Sequence, residues 1–192
     1  HPPRPPAAAC WPPSPRPTGA RRPLVVRHPM RRLVTFGGLA LLDDADARWT
    51  PAVQRRPLLL LAIVARAGAV GCTREKALAL LWPERDETAA RHLLDQACYA
   101  VRRALGREVL PPGPTLRLDP AHLACDASAF DAALADGALE TAVALHRAPF
   151  LDGVHGPAGT PELERWIEEE RRALATRARD AAITLARRAG PP

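Results

Sequence analysis

The segment from Asp86 to Gly106, DETAARHLLDQACYAVRRALG, restricts the chain more than any other stretch. Laid on a helix at about 100° per residue, Leu94, Cys98, Val101 and Leu105 fall in one stripe, which Leu93, Ala97, Ala100 and Ala104 broaden. Asp86 is of the type that caps a helix N-terminus, and Gly106 of the type that ends one. The segment therefore predicts a helix of about five turns. Its opposite arc collects Thr88, Arg91, His92, Asp95, Gln96, Tyr99, Arg102 and Arg103. One face must be buried, and the other offers long hydrogen-bonding side chains.

Such a face has two readings. A solvated amphipathic helix in an arginine-rich protein looks like this. So does a helix that enters the major groove of DNA, where each base pair shows its own donor and acceptor pattern. Arginine binds guanine O6 and N7 through two bonds, glutamine does the same to adenine, and Tyr99 offers a hydroxyl to a phosphate or base. Asp95 would repel phosphate, so it is expected to accept from a cytosine amine or to pair with Arg91 or Arg102.

The order of the surrounding elements weighs toward the second reading. Leu33-Val34-Thr35-Phe36, the Gly37-Gly38 turn and Leu39-Ala40-Leu41-Leu42 predict two short strands, with a third around Trp49. Residues 53–67 predict an apolar helix ending near Gly68, with Pro57 as a kink or a late start. Thr73 is the expected N-cap of a helix from Arg74 to Trp82, stopped by Pro83. After the long helix, residues 108–110, the turn at Pro111 to Pro114 and residues 115–118 predict a hairpin, and His122 to Cys125 a last strand. Strands, three helices and a hairpin are the chain order of a winged helix-turn-helix. The hairpin can lie along the neighbouring minor groove, with Arg117 for phosphate or groove contact, and Thr73 and Arg74, at the start of the second helix, are expected to contact the DNA backbone.

From Asp126 onward the pattern is helical. Asp126 to Ala135 and Leu139 to Arg147 predict an antiparallel pair around Asp136-Gly137. A Gly-Pro-rich loop at 149–161 leads to a charged helix from Pro161 to about Arg188. Its apolar side holds Trp166, Ile167, Leu174, Ala178, Ala181 and Leu185, and Glu168 stands one turn before Arg172. The fold class expected is mainly α with small β elements: a winged helix-turn-helix followed by a TPR-like helical bundle. The expected division is 1–29, 30–125 and 126–192.

Charge follows that division. Of the 27 basic residues only Lys76 is a lysine, a bias that reflects a GC-rich genome more plausibly than function. Residues 1–29 carry five arginines and no acid; residues 30–125 carry fourteen basic and ten acidic side chains; residues 126–192 carry eight and eleven. Much of the net charge of +6 thus lies in the first segment, so overall basicity is a poor argument for nucleic acid. A basic middle before an acidic end is the more informative signal. Residues 1–29 also hold ten of the 22 prolines and no apolar periodicity, which predicts disorder. The single methionine, Met30, immediately precedes the patterned part, so translation is expected to start there.

Several function classes lack their residues. No run approaches the roughly 20 apolar residues of a membrane span. Cys10, Cys72, Cys98 and Cys125 form no CxxC pair, which predicts structural thiols in a reduced, cytoplasmic protein. The six histidines show no metal-ligand spacing, and His92 reads as a surface or DNA-face residue. Ser14 and Ser128 are the only serines, and neither sits in a GxSxG elbow. No phosphate-binding GxxxxGK[ST] loop occurs. No enzyme, metal or cofactor is expected, and Trp82 reads as a core plug.

Three segments carry a family resemblance: LVTFGGL at 33–39, REKALALLWP at 74–83, and ARHLLDQACYAVRRALG at 90–106. Together they resemble the SARP-type antibiotic regulatory activators. In that family an OmpR-type winged helix precedes a bacterial transcriptional activation domain of TPR-like helices. DASAF at 126–130, FLDG at 150–153 and ELERWIEEER at 162–171 are similar to that second domain. The resemblance implies a cytoplasmic activator that binds double-stranded promoter DNA and helps recruit RNA polymerase. It also implies a polymerase-contacting loop at Pro83, Glu84, Arg85 and Asp86; separately, the apolar side of the last helix needs partners, which predicts a homo-oligomer through the helical part. The family's helical domain is normally longer than the one here. The competing expectation is a helical protein-interaction scaffold whose winged helix no longer binds DNA.

Overall fold

The computed structural model describes residues 31–43, 45, 47–49, 54–106, 108–154 and 160–189. The expectations for residues 1–29 and for Met30 lie outside them. Strands β1 (Arg31–Val34), β2 (Ala40–Leu42) and β3 (Arg48–Trp49) form an antiparallel meander, and β6 (Leu123–Cys125) joins β1 in parallel. Register places Leu33 opposite both Leu41 and Cys125, and all three are buried. The alternate row, Arg32 opposite Leu42 and Ala124, faces the other way. Gly37 makes the β1–β2 turn possible at φ 81°, a backbone region closed to most side chains.

Helix α1 (Arg55–Arg66) buries eight of the nine positions from Pro57 to Ala65, all but Leu58. Pro57 is its third residue, where an amide would have no intrahelical acceptor, so the proline marks a late start and not a kink. A 3-10 turn over Gly68–Val70 and Gly71 lead into β4 (Cys72–Thr73). Helix α2 (Arg74–Leu81) begins where Thr73 Oγ1 accepts the Lys76 N–H at 3.2 Å, and Trp82 closes it at 3% exposure. Helix α3 (Glu87–Leu105) begins where Asp86 accepts the Ala89 N–H at 2.9 Å, and ends at Gly106. Its stripe of Leu94, Cys98, Val101 and Leu105 is buried as the periodicity requires.

The wing differs from the expected hairpin in its ladder partner. Strand β5 (Thr115–Leu116) pairs with β4, while Glu108 to Leu110 form a turn and bend. Pro111, Pro112 and Pro114 of the turn have no amide to donate. One backbone bond, from Asp119 N–H to Val109 O at 3.1 Å, closes the loop.

Helices α4 (Asp126–Ala135) and α5 (Leu139–Leu145) are joined at Asp136-Gly137, with Gly137 at φ 73°. Helix α6 (Pro161–Ala189) packs on α5 and touches α2. Thr160 fixes that contact: its hydroxyl donates to Leu80 O at 2.8 Å and accepts the Leu163 N–H at 3.1 Å. Trp166, Ile167, Leu174, Ala178 and Ala181 are buried and Leu185 half-buried, and Arg172 meets Glu168 at 3.2 Å. Arg66 of α1 pairs with Asp131 of α4 and, at 2.9 Å, with Glu170 of α6. Despite desolvation, those two carboxylates push the Arg66 pKa up. One apolar cluster runs from Leu33 to Ala178 and includes residues on both sides of Asp126. The fold is a winged helix-turn-helix continued by a TPR-like helical bundle.

Candidate nucleic-acid interface

Helix α3 rests on α1 and α2 and leaves its polar arc outward. Thr88, Arg91, His92, Asp95, Gln96, Tyr99 and Arg103 are exposed, and Tyr99 is 64% accessible although aromatic. That arc is brought beside the start of α2, where Thr73 is exposed and Arg74 half-buried. Arg102 departs from the arc. It is half-buried, and its Nε donates to Leu110 O at 2.7 Å, tying the base of the wing to α3.

The polar groups differ in how far they are already engaged. Arg91 pairs with Glu87 one turn earlier at 2.5 Å, an exposed pair that a phosphate can displace at small cost. Gln96 Nε2 and His92 Nε2 lie 2.8 Å apart, so the two side chains engage each other across one turn of the helix. Asp95 pairs with Arg74, not with Arg91 or Arg102. The first residue of α2 lies across from it, so the acid's charge is neutralised between helices, and Arg74 reaches a phosphate only by exchanging that pair. Thr73 is engaged as the cap of α2. Among the described residues Arg103 makes no ion pair.

Arg117 is exposed but folded back: its Nε donates to Ala69 O at 3.2 Å and its terminal nitrogen to Val70 O at 3.1 Å. These bonds hold the wing strand against the α1–β4 connection and leave Val70 81% accessible beside the guanidinium. Between α2 and α3, Pro83, Glu84, Arg85 and Asp86 are all exposed. Glu84 sits 3.8 Å from both Arg56 and Arg85, and Arg56 also lies over the Trp82 ring at 5.8 Å.

Two residues of this surface escaped the sequence reading. Lys76 is exposed on the first turn of α2. Counting three residues on from the Thr73 cap would have placed it there. Val70 carries no periodic signal, because the 3-10 turn that exposes it is set by the wing docking. Cys72, Cys98 and Cys125 are buried, and burial is the first cause that pushes each thiol pKa up. Among the described residues no group of three metal-ligating side chains occurs, and no helix is long and apolar enough to cross a membrane.

No protein-family model and no curated protein matches the chain. Among solved structures it is similar to Mycobacterium tuberculosis EmbR, determined in complex with a low affinity phosphopeptide, at 21% identity and a TM-score of 0.59. The likeness covers 81% of this chain and 44% of that one, so the chain spans less than half the length of the protein it matches. At that identity the likeness is one of fold.

Proposed function

We propose that this chain is a sequence-specific DNA-binding transcriptional regulator of the SARP type, an activator that recruits RNA polymerase at promoter sites. The observation that carries the reading is the open polar arc of α3, flanked by the start of α2 and by the wing. Residues 30–125 serve as an OmpR-type DNA-binding domain, and residues 126–192 as part of a bacterial transcriptional activation domain. Thr88, Arg91, His92, Gln96, Tyr99 and Arg103 face the major groove, with Thr73, Arg74 and Arg117 toward the backbone. Arg102 holds the wing in place and reaches DNA only by exchanging its bond to Leu110. The loop from Pro83 to Asp86 faces polymerase, and the helical part joins copies of the chain. The protein acts in the cytoplasm without a cofactor and is not an enzyme.

A second reading draws on a specific observation. Arg74, Arg91, Arg102 and Arg117 each have an internal partner, which suits a docking scaffold whose winged helix does not bind DNA. Fluorescence anisotropy of the full chain against random and genomic duplexes separates the two. A regulator binds with an affinity that falls steeply as salt rises, because neutralised phosphates release counterions. Absence of salt-sensitive binding at every concentration tested selects the scaffold.

A further inference from the structure

Between Thr88 and Arg103 the outward arc of α3 holds one side chain that can only accept a hydrogen bond, and it is Asp95. Asp95 pairs with Arg74, the first residue of α2, through Oδ1 alone. Among the described residues its Oδ2 accepts nothing. The two side chains differ in depth: that of Arg74 is 27% accessible and that of Asp95 65%. The cation is sheltered where α2 begins, and the carboxylate projects with one oxygen unengaged.

A bare carboxylate on a surface that meets phosphates costs affinity at every sequence, because the charges are alike. Arg74 offsets that cost, since the pair carries no net charge. What remains is chemical selectivity. An ionised carboxylate has lone pairs and no proton, so Oδ2 can only accept. In the major groove guanine O6 and N7 and thymine O4 are acceptors and oppose it; the donors are the amines of cytosine and adenine. Adenine sets its N7 acceptor beside the amine, whereas cytosine presents the amine alone. Cytosine is therefore the base that such a carboxylate matches.

We infer that Asp95 is a specificity-determining residue that accepts from a cytosine amine in the major groove, and that Arg74 is its positioning residue, which balances the charge and touches no base. The inference rests on the reading of α3 as a DNA-binding helix. It adds an acceptor to a face whose other named contacts are arginines and side chains that can donate.

The test selects bound duplexes from a random pool with the full chain, then titrates the selected sites by fluorescence anisotropy at several salt concentrations. The parent chain is expected to select a cytosine at one position and to bind the thymine version about tenfold more weakly. Asp95→Ala should level that position alone. Asp95→Asn should move it toward adenine, whose N6 and N7 an amide can pair with. Circular dichroism of both variants checks the fold. Arg74→Ala should weaken every duplex by about tenfold, because it leaves a bare carboxylate among phosphates. Combining it with Asp95→Ala should recover most of that loss. A consensus unchanged in Asp95→Ala, or a double variant no better than Arg74→Ala, overturns this inference and leaves the regulator reading standing. A parent chain that selects no sequence and shows no salt-sensitive binding overturns the regulator reading itself.

Discussion

The carboxylate of Asp126 accepts the backbone N–H of Thr35 at 2.9 Å and its hydroxyl at 2.5 Å, so the first residue of α4 finishes the end of β1. The Phe36 amide reaches the same carboxylate at 3.0 Å. Thr35 is fully buried, and its carbonyl receives the Leu151 N–H at 2.6 Å. The sheet, the start of the bundle and the α5–α6 loop thus meet at one residue.

Asp126→Ala should therefore destabilise more than a surface substitution, because it takes the acceptor from three amides, those of Thr35, Phe36 and Ala127, and from the Thr35 hydroxyl in a poorly solvated place. A loss of roughly 2–4 kcal/mol is expected from urea unfolding, since each unsatisfied group costs about 1–3 kcal/mol before relaxation. Thr35→Val, which removes only the hydroxyl, should cost about 1 kcal/mol. Equal losses in the two variants would show that the backbone bonds do not matter.

Gly71 and Gly68 offer a matched pair. Both have positive φ, at 81° and 55°. A Cβ at Gly71 would meet Arg117 Cγ at 2.6 Å, Thr115 Cγ2 at 2.7 Å and Leu116 O at 2.8 Å, whereas one at Gly68 meets nothing within 4 Å. Gly68→Ala should cost only the left-handed backbone, about 1 kcal/mol. Gly71→Ala must also push the wing strand off β4, so its thermal midpoint should fall further and amide exchange at Leu116 should quicken. A Gly71→Ala protein as stable as Gly68→Ala would contradict the packing.

The three buried thiols make stability fall in alkali. Burial raises their pKa in the fold, first through desolvation, so the folded chain holds these protons more tightly than the unfolded one. Their contribution is complete below the unfolded thiol value, near about pH 8.5, and is lost as pH rises through and above it. The urea midpoint should decline between pH 8 and pH 10, less so in a variant with Cys72, Cys98 and Cys125 all changed to Ala. Iodoacetamide at pH 8 should modify these cysteines slowly in buffer and quickly in urea. Fast labelling of Cys72, Cys98 or Cys125 in buffer, located by peptide mapping, would place that thiol at the surface.

What the sequence revealed and what it hid follow from the range of the interactions. The α3 boundaries were legible because Asp86 and Gly106 act within one turn of themselves, and the stripe from Leu94 to Leu105 is a local periodicity. The same holds for Thr73 before α2. Pairings across the chain were not legible. Asp95 finds Arg74, 21 residues away, and Arg102 finds the carbonyl of Leu110, because the docking of α2 and the wing decides who is near. The wing's ladder with β4 was hidden for a related reason: the partner of β5 lies some forty residues upstream, beyond the reach of any local pattern.

That difference separates two adjacent arginines which look alike in sequence. Arg103 is exposed, so Arg103→Ala should leave the urea midpoint unchanged. Its effect should appear in DNA binding: a loss of about 1–3 kcal/mol with relaxed base choice if it reads a guanine, or a salt slope reduced by about one if it holds a phosphate. Arg102→Ala removes the donor to Leu110 O and should cost about 1–3 kcal/mol of stability, with faster amide exchange along the wing. Its DNA affinity should fall through the misplaced wing, across all sequences alike. If instead Arg102→Ala keeps full stability and changes base preference, Arg102 releases Leu110 on binding and belongs to the reading face. If Arg103→Ala binds every duplex like the parent at several salt concentrations, Arg103 takes no part in recognition.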